Sequence, residues 1–292
     1  MTLRQLTLAS LLLCAAPLLA EGNDEFGTWQ EIGIEKAITR TWDVGLDLEY
    51  RAQHKARFSA GLNTTYKPIK YLKLGIGYNF LYTGRPDKIN DKSDYTAYPK
   101  EWTVGYNSFP AHWYPRHRFY AEATGTVKLW GWLRVSLRER YQFTHTKAYS
   151  IDRYRYRMKY ENAEKTDFDE NWEPYTYYEL ETELTHNEWD TKDILANTDQ
   201  VLRSRVKLEY DKKRFPFSPY ISAEAHNSVS VGDHMLLQKV RTAIGCGYKF
   251  RKHNEVSLSY VATFYMYDVE DGEVIRDHDR RHALSIGYKY SF

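Results

Sequence analysis

The residues His282-Ala283-Leu284-Ser285-Ile286-Gly287-Tyr288-Lys289-Tyr290-Ser291-Phe292 alternate without a break between large side chains and small or polar ones. An extended strand sends successive side chains to opposite faces. This period of two therefore predicts a strand with one oily face, built from His282, Leu284, Ile286, Tyr288, Tyr290 and Phe292. One such strand fits many sheets, so its recurrence along the chain decides the architecture.

It recurs. Trp42, Val44, Leu46, Leu48 and Tyr50 oppose Asp43, Gly45, Asp47, Glu49 and Arg51. Comparable segments run through Phe58 to Tyr66, Leu72 to Phe80, Phe119 to Val127, Leu133 to Phe143, Leu202 to Tyr210, Ile221 to Ala225, Val240 to Phe250 and Val256 to Met266. Most are long enough to cross a bilayer at a tilt, which takes about 9 to 11 residues. The mean hydropathy is negative, and beyond residue 20 no run of about 18 apolar residues supplies a membrane helix. A transmembrane barrel hides in such averages, because only alternate residues meet lipid. The chain has 26 Tyr, 12 Phe and 8 Trp, a composition suited to aromatic girdles at two interfaces. A secreted soluble sandwich or solenoid is the competing fold, but so many apolar faces would need a second layer, and no helix-patterned segment is available.

The expected fold is thus all-β, a transmembrane antiparallel barrel with short periplasmic turns and long outer loops. Including a weaker first strand around Thr28 to Lys36, with Ile32 and Ile34 on one face, eleven segments can be counted. Single-chain bacterial barrels usually have even numbers. The expectation is therefore about twelve strands, with ten as the alternative, unless the amino end lies outside or threads the lumen. Pro68 to Lys70, Trp130 to Trp132, Asp211 to Pro216 and Arg251 to Asn254 read as the short turns. Thr83 to Tyr114, Thr146 to Asn197 and Asp268 to Asp279 read as the long connections.

Residues 1–20 carry one early cation, Arg4, then an apolar stretch from Leu6 through Ala16, then Pro17-Leu18-Leu19-Ala20. This reads as a secretory signal peptide ending at Ala20, which leaves 21–292 as the barrel domain. Leu13 stands where a lipoprotein signal before Cys14 needs a small residue. Only Cys246 remains after cleavage, so no intrachain disulfide forms.

The terminal strand resembles the closing strand of Gram-negative outer-membrane barrels, whose members commonly end on Phe as part of their assembly signal. The whole mature chain resembles a family of small porin-like outer-membrane proteins defined by a domain of unknown function. The likeness rests on Trp29-Gln30-Glu31-Ile32-Gly33, on Trp42 to Arg51 with its closing Glu49-Tyr50-Arg51, on the paired strands around Arg118 to Arg140, and on Phe292. It implies a location in the bacterial outer membrane, with lipid, lipopolysaccharide and, through the strand ending in Phe292, the assembly machinery as partners. It supplies no active-site residues.

Function must then come from the inward face. The alternation places fifteen cations there, from Arg51 to Lys249, against seven carboxylates: Asp43, Asp47, Glu49, Glu122, Glu209, Glu224 and Glu255. Such an interior is either salt-bridged filling or an anion-favouring channel, because Arg binds carboxylate and phosphate bidentately. The selectivity candidates are Arg138, Arg140, Arg203, Arg205 and Arg241, with small anionic solutes as ligands. The expectation is a non-enzymatic passive channel or pore-like structural protein without cofactor. A net charge of +2 argues against nucleic acid.

Two alternatives stand beside it. His226-Asn227-Ser228 has the spacing that sets imidazole and hydroxyl on one strand face, as in an outer-membrane acyl-ester hydrolase. That face is the inner one, however, and the following strand between Lys239 and Lys249 offers no acid or amide to orient the histidine. An adhesin or receptor acting through the long loops is the other. Between Glu161 and Asp199 lie thirteen carboxylates with only Lys165 and Lys192 as cations, which reads as a solvated surface, a constriction folded into the basic lumen, or a divalent bridge to lipopolysaccharide. Asp167, Asp169, Asn171 and Glu173 alternate like the start of a calcium loop, but Trp172 replaces the turn glycine and Tyr178 the closing glutamate. His112, His117, His278 and His282 share no metal-ligand spacing.

Overall fold

Alternation makes a wall only where neighbouring strands hold register, and eleven strands do so here. The computed structural model describes residues 24–53, 55–212, 215–229, 235–251, 253–270, 273–276 and 279–292. The expected signal peptide and His278 lie outside them. The strands are β1 (Asp24–Ala37), β2 (Trp42–Ala52), β3 (Arg57–Ile69), β4 (Leu72–Arg85), β5 (Lys88–Asp91), β6 (Glu101–Phe109), β7 (His112–Leu129), β8 (Leu133–Thr146) and β9 (Tyr149–Phe168). They continue as β10 (Pro174–Ile194), β11 (Asn197–Tyr210), β12 (Phe217–Ser228), β13 (Leu236–Phe250), β14 (Asn254–Tyr265), β15 (Tyr267–Glu270), β16 (Glu273–Arg276) and β17 (Arg280–Ser291). The described residues contain no helix.

A closed barrel runs β1-β17-β14-β13-β12-β11-β8-β7-β4-β3-β2. Its eleven strands fall between the even numbers twelve and ten. The closing pair explains the parity. β1 and β17 are parallel, from Asp24 beside Arg280 to Glu35 beside Ser291, whereas β1–β2 and β14–β17 are antiparallel. An even count follows only when the last pair is antiparallel. The start of β1 therefore sits with the start of β17, at the end of the barrel where the long connections leave, and Phe292 lies at the short-turn end, its N–H donating to Glu35 O at 2.9 Å.

The turns follow from local chemistry. Trp130 and Gly131 both have positive φ, 49° and 72°, and Trp132 N–H donates to Leu129 O at 3.2 Å, the primed geometry that matches strand twist. β3 continues past the expected turn at Pro68 as far as Ile69, with a register shift between Tyr66 and Ile69. Proline cannot donate to a ladder, so the strand bulges there and turns only at Lys70 and Tyr71.

The wall is apolar outside and polar inside. Leu46, Leu62, Ile76, Leu137, Ile221, Ile244 and Leu258 are all exposed, while Asp43, Ser59, Gln142, Glu224, Ser259 and Ser285 are buried. Rings touch in sequence along the short-turn rim, from Trp130 through Trp132, Tyr210, Phe215, Phe217 and Tyr248 to Phe250. Inside, Trp29, Val261 and Ala283 form a small apolar cluster against Ala243, behind the parallel seam.

A second compact unit comprises Arg85–Trp113 and Ala148–Leu195. Its sheet has the order β10-β9-β6-β5, and the acidic run expected as loop is largely strand, six of its thirteen carboxylates lying on β10 and three on the end of β9. β10 pairs with β9 along its length, with a shift at Thr185 between Leu184 and His186. That bulge puts Glu188 opposite Arg155, in an ion pair of 2.8 Å, and Asp190 opposite Arg153, at 2.5 Å. Lys165 holds Glu181 at 2.6 Å. The acidic strand thus finds counter-charge within its own sheet. Asp190 on β10 and Asp169 in the β9–β10 turn are held below the usual aspartate range, Asp190 by the Arg153 hydrogen bond and Asp169 by the backbone N–H groups of Glu173 and Asn171. Those two N–H groups occupy Asp169 Oδ1 at 2.8 Å each, so the stretch that resembles a calcium loop is a self-capped hairpin tip.

Candidate functional site

Inward residues of neighbouring strands meet by register, and the register gathers the five expected arginines into two adjacent rungs. One rung reads Glu122, Arg140, Arg203, His226, Lys239 and Tyr265 across β7, β8, β11, β12, β13 and β14. The next reads Thr124, Arg138, Arg205, Glu224, Arg241, Thr263 and Arg281, ending on β17. Arg140 therefore stands directly opposite Arg203, and Arg138 opposite Arg205. Like charges at directly paired positions repel, and carboxylates offset part of this. Glu224, 4% exposed, accepts from Arg138 at 2.5 Å and also from Arg203, and Arg241 lies 3.9 Å away. Glu122 holds Arg140 at 2.5 Å and approaches Arg138 at 3.9 Å. Glu49 bridges Arg51 and Arg57 at 2.6 Å each.

Two cavities occupy the barrel interior. The inner one, about 490 Å³, lies toward the short turns and is lined by all five arginines together with Glu31, Asp47, Glu49 and Glu224. The outer one, about 460 Å³, lies toward the long-connection end of the barrel. Trp29, Arg51, Arg57, Arg118, Arg203 and Arg241 line both, so they mark where the cavities meet. The guanidinium carbons of Arg51 and Arg241 lie 3.8 and 4.8 Å from the Trp29 ring centroid. Stacking on the electron-rich ring face stabilises both cations.

Sequence reasoning named Arg51, Arg57 and Arg118 as inward cations but did not single them out. It placed Trp29 only in the weaker first strand and in the family likeness, and did not draw its position on the inner face, opposite to that of Ile32 and Ile34. Glu224, the group that gathers Arg138 and Arg203, was legible only as one inward acid among seven.

The histidine motif also lies on the inner wall. His226 Nε2 is 2.8 Å from Glu224 Oε1, and His226 and Ser228 are 6% and 1% exposed. The acid beside the imidazole comes from the same strand, two residues back, rather than from the following strand. Glu224 is committed to two arginines, which makes it a structural anchor more than a partner free to follow a histidine through a proton cycle. Among the described residues no group of His, Cys, Asp and Glu has metal-binding geometry. No protein-family model and no curated protein matches this chain.

Proposed function

We propose that this protein is an outer-membrane barrel, the location that its resemblance to the small porin-like family implies, and that it passes small anions through a basic lumen. The exposed aliphatic belt and the aromatic rim support the membrane reading, since a barrel in water would leave both unburied. The observation that carries the anion reading is the two adjacent rungs of facing arginines that line the inner cavity. A narrow polar path in an apolar wall focuses the field of its charged groups and so sets ion preference. With the short turns on the periplasmic side, the long connections face the cell exterior.

Planar-bilayer recording of the refolded protein tests this. The expected result is a conducting barrel whose reversal potential in a salt gradient favours the anion. Joint replacement of Arg138, Arg205 and Arg241 by Gln should move that potential toward neutrality. A barrel that does not conduct, or one that prefers cations, would overturn the reading.

A further inference from the structure

The two cavities differ in how their charge is balanced. Around the inner one, Glu49, Glu122 and Glu224 are each shared between cations. The outer one is lined by nine Lys and Arg residues and, among the described residues, by one carboxylate, Asp199, already bound to Arg116 at 2.5 Å. Arg118 donates to Thr144 Oγ1 at 3.1 Å, and no described carboxylate lies within ion-pair distance of it. The Lys239 ammonium, 4.9 Å from the Tyr265 ring centroid, has no such carboxylate either. Three neutral or unused donors on the same wall are also open: Thr83 Oγ1, Trp29 Nε1 and Arg57 Nε are buried with no hydrogen-bond partner among the described residues. Buried donors left unmade are costly, and native structures rarely keep several in one place without an acceptor.

We infer that the outer cavity is a binding site for a compact anion carrying two or more carboxylate or phosphate groups. The inference rests on the lumen reading above and adds a ligand class to it. The planar Arg118 and Arg57 guanidiniums suit either kind of oxygen pair, and Lys239 adds a point charge. Thr83, Gln142 and the Trp29 N–H supply neutral donors around them. A monovalent anion answers only one of these cations, so a multivalent one gains from several at once. The volume, about 460 Å³, falls within the range of small-molecule pockets.

The test titrates the full chain, folded in detergent, with tripolyphosphate and separately with tricarballylate, by calorimetry at matched ionic strength against chloride. At least one polyanion should saturate a single site that chloride does not fill. Binding of the phosphate alone would identify a phosphate site, and binding of the tricarboxylate alone a carboxylate site. Arg118→Gln and Lys239→Gln should each weaken affinity about ten-fold or more, the size expected for losing a charged hydrogen bond. Lys289→Gln, in the inner cavity where Lys289 pairs with Glu35, should change it less than about two-fold. Heat-modifiable gel mobility checks folding of each variant, and if Arg118→Gln does not fold, Lys239→Gln carries the comparison. No saturable binding of either polyanion by a folded barrel overturns the inference, as does equal weakening by Lys289→Gln. A barrel that binds without conducting keeps this site and loses the pore. An anion-selective barrel that binds neither polyanion keeps the pore and loses the site.

Discussion

At the residue scale, Glu224 and Gly77 show opposite uses of a side chain inside a barrel. Glu224 is buried and shared between Arg138 and Arg203. Removing its charge leaves two cations on the paired strands β8 and β11, diagonal to one another on adjacent rungs, without their shared anion, and breaking a buried pair costs about 3 to 5 kcal/mol. Glu224→Gln should therefore lower the denaturant midpoint of the refolded barrel by that order, while Glu255→Gln, near the rim with Lys249 3.9 Å away, should leave it almost unchanged. Equal midpoints for the two variants would show that Glu224 does not anchor the rungs. Gly77 works by absence. A Cβ there would fall 2.4 Å from the Tyr120 ring, over which the Arg140 guanidinium lies at 4.3 Å. Gly77→Val should displace the ring and cost about 1 to 3 kcal/mol of stability, read in the same titration. The sequence displayed both residues in alternation but could not show these roles, which depend on partners on other strands.

At the element scale, legibility followed how closely each strand kept a period of two. β2, β13 and β17 alternate cleanly, and their outward residues Leu46, Ile244 and Tyr288 are exposed as the pattern required. On the membrane reading proposed above, Leu46→Arg or Ile244→Arg should place a charge in hydrocarbon at about 2 to 4 kcal/mol near the midplane. Asn63→Arg, on the inner face beside Asp47, should fold normally. Identical unboiled-gel mobility for all three would contradict the facing. β10 was illegible because its bulge at Thr185 changes phase: Glu179, Glu181 and Glu183 share a face with His186, Glu188 and Asp190, so the acids look unpatterned until paired with β9. The same pairs set a pH response. The Asp190 carboxyl is lowered in the folded sheet by the Arg153 hydrogen bond, so its contribution is present above the unfolded aspartate pKa of about 3.9 and is lost as pH falls below it. Amide exchange along β9 and β10 should accelerate as pH drops from about 5 toward 2, relative to the intrinsic rate. Arg153→Gln should remove much of that step, and an unchanged step would assign it to other groups.

At the scale of the whole molecule, the number of strands and the seam that closes them are one fact. Eleven segments were visible along the chain, and parity argued for twelve only by assuming antiparallel closure. No local pattern could announce a parallel β1–β17 pair, because register between the ends is set by the full circumference. Parallel ladders are slightly weaker per residue than antiparallel ones, so this seam needs support. Trp29, 6% exposed, supplies it from inside, packed with Val261 and Ala283 and bearing the Arg51 and Arg241 guanidiniums on its ring. Trp29→Ala should cost about 3 to 5 kcal/mol by loss of that packing, and the loss should be local at first. Hydrogen exchange should rise in β1 and the facing edge of β17, while β12 and β13, paired antiparallel through Ile221 and Ile244, keep their protection. Trp29→Phe, which retains the ring face, should recover most of the protection. If exchange instead rises evenly around all eleven strands, the barrel opens as one cooperative unit and Trp29 is not the brace of its seam.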